Sequence, residues 1–294
     1  MSAPTALPSP GASPSEWLGC SLGERTVAWT SRDAILFALA VGARADQLSL
    51  VYEDRLRVLP PFALTLAQWA PDVLGAAGAF DIASALHGAQ RLDVHRRLPS
   101  DGEAVLSARV DAVWDKGSAA VYDVTASCEY FTATWSLFAP GHGGFGGERG
   151  PGRPAAPSAE PDWGTEVSIA QNAAALYRLL GDRHRIHIDP AAARGIGQPR
   201  PILHGLATLA AGCLAAAERL GVHPADLCSV SARFSGVVFP GDSITVRGWD
   251  ADRAGIGARG PAADFDIHTG RGPAVSGGHL TFDRPAQPEQ RTKT

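Results

Sequence analysis

Residues 204–221, HGLATLAAGCLAAAERLG, set the tightest limit on what this chain can fold into. Leu206, Leu209, Ala210, Cys213, Leu214, Ala217 and Leu220 fall three or four apart, the spacing of an apolar helical stripe. The other side is mostly alanine, at 207, 211, 215 and 216. A helix apolar on one side and small on the other has no face for water. It must be buried nearly all round, and a curved sheet can wrap it closely. Gly221 supplies its left-handed end.

Segments rich in β-branched and aromatic residues follow the same logic. The spacing predicts strands in 104–114, 119–138, 229–239, 243–249 and 278–282. Pro99-Ser100-Asp101-Gly102 and Pro240-Gly241-Asp242 supply turns ahead of strands. Earlier in each half lies a further helix. Residues 30–43 read as one capped by Thr30 or Ser31 and closed by Gly42. Residues 168–181 read as another, with Ser168 and Gln171 as a capping box and Gly181 as its end. Each half also carries a Leu-His-Gly, at 86–88 and 203–205. Two halves of helix then antiparallel strands make an α+β fold, not the strict alternation of a parallel sheet.

Residues 140–161, crowded with Gly and Pro, read as the linker between the halves. Their Gly141-Gly143-Gly146 matches a dinucleotide-loop spacing, but Arg, Pro and Gly follow where a helix is required. The first fifteen residues lack a basic start and an apolar run, so they read as a disordered tail and not a signal peptide. A net charge of −4 argues against a nucleic-acid partner. No segment is apolar over a membrane-spanning length. Cys20, Cys128, Cys213 and Cys228 form no Cys-x-x-Cys pair, and Cys213 falls on the helical stripe as a reduced, packed thiol. The expected compartment is the cytoplasm.

The chemistry concentrates in YRLLGDRHRIHIDP, residues 177–190. A chain only 19% charged puts Asp182, His184, His187 and Asp189 directly behind an apolar turn. Asp189 and Pro190 read as N-cap and first residue of a short helix ending at Gly195. Residues 182–187 are thus a connection held at both ends, as a catalytic constellation requires. Farther on, His204-Gly205 opens the buried helix, where unpaired N–H groups can hold a carbonyl oxygen gaining negative charge. An acid/base pair with such a hole suits addition of water beside a carbonyl, or its reverse. A solvated loop and a metal cluster are the other readings of these residues; for metal, no fourth ligand stands near. No Gly-x-Ser-x-Gly elbow supports a serine hydrolase.

The stretch YRLLGDRHRIHIDPAAARGIGQPRPILHGL resembles the signature of the MaoC-like, or type 2, enoyl-CoA hydratases. Residues 51–63, 85–99, 115–121 and 233–242 resemble stretches of the two-repeat members, so the likeness spans most of 17–285. The resemblance implies a double hotdog, two antiparallel sheets each wrapped around a long central helix. It implies a tail at 1–15, a degenerate repeat at 16–139 that accommodates the acyl chain, a linker at 140–165, a catalytic repeat at 166–285 and a tail at 286–294. Asp182 and His187 match the family's catalytic pair. His204 and Gly205 fall at the thioester-binding position, while Arg200 and Lys116 are candidates for the coenzyme A phosphates. The family's Asn-Pro is His184-Arg185 here, so His184 takes the place of the water-holding Asn.

The activity implied is R-specific hydration of a 2-enoyl-CoA, or dehydration of the 3-hydroxyacyl-CoA, with no cofactor and no metal. Two rivals stand beside it. One is a dehydratase for acyl groups on a carrier protein. The other is a non-catalytic binder of acyl thioesters, which the change at 184–185 makes plausible. A homodimer is expected.

Overall fold

Ten strands form one continuous sheet in the computed structural model, which describes residues 7–152, 158–250 and 260–283. The first half contributes β1 (Ser21–Trp29), β2 (Leu86–Val94), β3 (Gly102–Asp115), β4 (Ala119–Ser127) and β5 (Phe131–Pro140). The second contributes β6 (Trp163–Ser168), β7 (Leu227–Phe234), β8 (Ser243–Asp250), β9 (Ala262–Thr269) and β10 (Gly272–Phe282). Their order across the sheet is β1-β3-β4-β5-β2-β7-β10-β9-β8-β6, and each neighbouring pair is antiparallel. Read outward from the middle, both halves have the same internal order. They meet where β2 pairs with β7, Ala89 opposite Arg233 and Leu92 opposite Val230.

Helices occupy the gap between the first and second strand of each half. The first half has α1 (Ser31–Ala40), α2 (Leu48–Val51), α3 (Ala63–Ala67) and α4 (Trp69–Ala76); the second has α5 (Ala173–Tyr177), α6 (Pro190–Gly195) and α7 (Gly205–Leu220). Helix α7 is buried along most of its length, alanine side included, and only its last turn, with Glu218 and Arg219, reaches solvent. A Cβ on Gly212 would stand 2.6 Å from the Ile267 side chain on β9, so the bare helix backbone seats directly on that side chain. On β3 the inward residues alternate with outward ones, and Leu106 and Val110 are fully buried. This is the double hotdog that the resemblance implies.

Several expectations differ in detail. The helix expected at 168–181 is shorter, because Ser168 still belongs to β6. Ile169 exchanges backbone bonds with Asp242 and Gly241, so the chain stays extended and α5 starts after Asn172. The expected strand 229–239 ends at Phe234. The two Leu-His-Gly segments are not equivalent: His204 precedes α7, whereas His87 lies inside β2. The true counterpart of α7 is α3 with α4, which the pattern did not reveal. Pro71 cannot donate to Ala67, so that helix breaks at Gln68 and its periodicity is lost.

The described parts of the expected tail and linker add detail. Residues 1–6 and 284–294 lie outside the described residues. Where the expected tail ends at residue 15, Pro14–Trp17 form a 3-10 turn whose Trp17, in the first repeat, is fully buried. Of the expected linker, Trp163 onward is strand, and its Gly-rich start is an ordered loop. The Asp115 carboxylate accepts the N–H groups of Gly117, Gly144 and Gly146 at 2.8–2.9 Å. Gly141, Gly144 and Gly146 take positive φ there, which explains the run of glycines without a nucleotide.

Candidate active site

A 3-10 turn, Arg178–Leu180, continues α5 and stops at Gly181, whose φ of 132° turns the chain out of the helix. Asp182 follows, partly buried, and its Oδ1 accepts the backbone N–H of His184 at 3.1 Å. A second 3-10 turn, Arg185–His187, then swings His187 inward until it is only 8% exposed. Its Nδ1 lies 2.9 Å from the Ile202 carbonyl. A carbonyl only accepts, so Nδ1 carries the proton and Nε2 is left with its lone pair. Asp189 caps α6 as expected, accepting the Ala191 N–H at 2.8 Å, and Arg185 pairs with it.

His204 joins this pair from the start of α7. Its ring stacks on that of His187 with centroids 3.6 Å apart and planes 24° from parallel. Its Nε2 donates to the Asp182 carbonyl at 3.2 Å. Tyr177 packs against His204 at 4.6 Å, and Phe37 and Phe62 of the first half continue the column. Burial holds His204 far below the usual imidazole range, at about 3, with His187 pushing the same way and Asp182 opposing. Burial also lowers the pKa of His187, against the pull of Asp182 and the Ile202 carbonyl, while His184 lowers it further. Both stacked rings are therefore neutral at neutral pH, and His187 presents a base.

The ligand atoms of Asp182, His187 and His204 all lie within 4.8 Å of one another. One water at about 2.8 Å from each of two such atoms spans that gap with a near-tetrahedral bend. The same three residues are close enough for a metal ion, with His187 Nδ1 and His204 Nε2 each already committed to a backbone carbonyl.

The remaining expected residues divide. Gly205 is the first residue of the sixteen-residue α7, whose N-terminus no side chain caps, so its N–H points free at the positive end of the dipole. His184 is exposed, its ring edge-on to His187 at 6.3 Å. Arg200 bonds the Pro240 carbonyl at 2.8 Å and Asp242 at 3.3 Å, and lies over the Phe239 ring. Arg271, which sequence reasoning did not single out, lies over the same ring and bonds Asp242. Lys116 is not brought to the pair; its ammonium donates to the carbonyls of Arg149 and Pro151. The Ile202 carbonyl was also missed, since a backbone acceptor leaves no mark in the residue types.

Known proteins resemble this chain in sequence and in fold. Residues 28–134 match the MFE-2 hydratase 2 N-terminal domain, and residues 154–260 match the MaoC like domain. A Mycobacterium tuberculosis protein named enoyl-CoA hydratase ChsH3 is 38% identical over 253 residues, covering 80% of this chain and 88% of its own. The chain belongs to the MaoC-like hydratase family. A second protein of that organism, named 3-hydroxyacyl-thioester dehydratase Y, is 35% identical to this hydratase over 241 residues, covering 75% of this chain and 82% of its own. The crystal structure of a MaoC-like dehydratase from Phytophthora capsici superposes with a TM-score of 0.80 at 25% identity, covering 91% of the hydratase and 96% of that chain. Membership makes the chain a hydro-lyase. Among the described residues no helix is long and apolar enough to cross a membrane.

Proposed function

We propose that this hydratase adds water reversibly to a trans-2-enoyl-CoA and yields the (3R)-3-hydroxyacyl-CoA. The observation that carries the reading is a buried, neutral His187 whose Nε2 is left unprotonated, with one ring nitrogen within 4.8 Å of the Asp182 carboxylate. A water bridging the two gives a proton to Nε2 as its oxygen bonds C3. The electron pair of the double bond moves into the thioester, and the Gly205 N–H holds the resulting enolate oxygen. The pair then returns one proton to C2 on the same face, so its proton count is restored and the addition is syn. The two groups share that proton, and the acid and base roles belong to the pair. His204 fixes the ring plane of His187 by stacking on it, while His184 helps to hold the water. No cofactor is required, because an acid–base pair and one N–H donor supply every step.

Two arginines share Phe239 and one carboxylate, Asp242, leaving one positive charge in surplus near the start of α7. Arg200 and Arg271 are therefore the proposed contacts for the coenzyme A phosphates, and Lys116 drops out. The dehydratase name of one relative keeps a carrier-protein thioester as the alternative substrate. Four free cysteines suit a cytoplasmic enzyme, and a homodimer is proposed with it. Crotonyl-CoA and the crotonyl carrier protein, assayed side by side with chiral analysis of the product, test the reading. The (3R) product from the CoA ester supports it. The (3S) product, or turnover of the carrier ester alone, overturns it.

A further inference from the structure

The Leu-His-Gly of the first repeat has no part in the mechanism above, yet it reaches the same site. His87 is the second residue of β2, beside a register shift at Gly88. Its Nε2 donates to the Ala89 carbonyl across that shift at 3.1 Å, which fixes the ring's orientation. The ring packs on Phe234, the last residue of β7, with centroids 4.6 Å apart and planes at 58°. Two ring atoms of Phe234 in turn lie 3.1 Å from where a Cβ on Gly205 would stand. The contact runs unbroken from the first repeat, through Phe234, to the first residue of α7. Burial brings His87 down to about 4, so the ring stays neutral, and the charge of Asp182 reaches it.

We infer that His87 is a positioning residue for hydration: a prop from the first repeat that holds Phe234 against Gly205 and so aims the Gly205 N–H at the thioester oxygen. The inference rests on the proposed role of that N–H. An enolate oxygen draws on the N–H more strongly than the ground-state carbonyl does. A displaced donor therefore lowers kcat and leaves KM nearly alone. What the prop needs is a ring, not a proton, so phenylalanine can serve in place of histidine.

The test is steady-state crotonyl-CoA hydration by the wild type, Asp182→Asn, His87→Ala, His87→Phe and Phe234→Leu, each checked by thermal unfolding. Displacing a reacting group by about an ångström costs up to roughly a hundredfold. His87→Ala and Phe234→Leu are expected to lower kcat at least about tenfold with KM within about threefold, and His87→Phe to return to within about threefold of wild type. Should His87→Ala fail to fold, His87→Phe and Phe234→Leu carry the comparison. The inference is overturned if His87→Ala and Phe234→Leu keep wild-type kcat, if KM moves in place of kcat, or if His87→Phe is as impaired as Phe234→Leu. A wild type that does not hydrate crotonyl-CoA, or an Asp182→Asn variant as fast as wild type, points instead to failure of the proposed function.

Discussion

His187 has a fixed tautomer because a backbone carbonyl takes its Nδ1 proton, and burial keeps its Nε2 unprotonated below the usual imidazole range. Loss of the base therefore begins at lower pH than for a free histidine. The acid limb of kcat/KM is expected to have its midpoint below about 6.5, read from a pH–rate profile. His184 pushes the pKa of His187 down, so His184→Asn should move that limb to higher pH while keeping turnover. An unmoved limb would remove His184 from the site. Stability follows the same sign. His87 and His204 fold neutral at about 4 and about 3. Below about 6.5 the unfolded chain takes up protons that the folded chain refuses, so stability is lost as pH falls. His204→Phe keeps the stack and should make the fall of Tm with acid shallower. Asp182, His187 and Gly205 stand out in the sequence because each sits in a local motif. The ring of His204 does not: its place at the helix start suggested the thioester, whereas its side chain lies on His187.

Helix α7 was readable because its stripe and its alanines are a local pattern, and its tight seat on β9 follows from the small side. Gly212 meets Ile267 at a distance no Cβ tolerates without a shift. Gly212→Val overpacks that contact and is expected to cost about 1–3 kcal/mol, measured by denaturant unfolding; an unchanged midpoint would contradict the packing described. The matching helix of the first half was illegible for the opposite reason. A proline at 71 and a nearly all-apolar surround leave no stripe, and only the repeated strand order identifies α3 and α4 as its counterpart. The glycine-rich loop at 141–146 misled in the same way: its glycines answer to Asp115, thirty residues earlier in the chain by rough count, and such a partner carries no local signal.

The whole molecule is two repeats of one strand order joined through β2 and β7, and the proposed chemistry belongs to the second. Asp226 of the second repeat, 7% exposed, bonds Arg57 and Arg97 of the first at 2.5 Å each. Both arginines are partly in water, so Asp226→Ala is expected to cost about 2 kcal/mol. Unfolding should stay a single transition, because the sheet is continuous; two separated transitions would show independent repeats. The sequence bears on that proposed division because Asp-x-x-x-x-His occurs at 182–187 and nowhere in the first half. The central claim is that one acid–base pair, Asp182 with His187, hydrates an enoyl thioester. Its most direct test is the loss of the conjugated thioester's ultraviolet absorbance when crotonyl-CoA meets the wild type and the variants Asp182→Asn and His187→Ala. The account expects turnover by the wild type and a fall of at least about a hundredfold in each folded variant. Either variant turning over at near wild-type rate, or a wild type that leaves the absorbance unchanged, would contradict it.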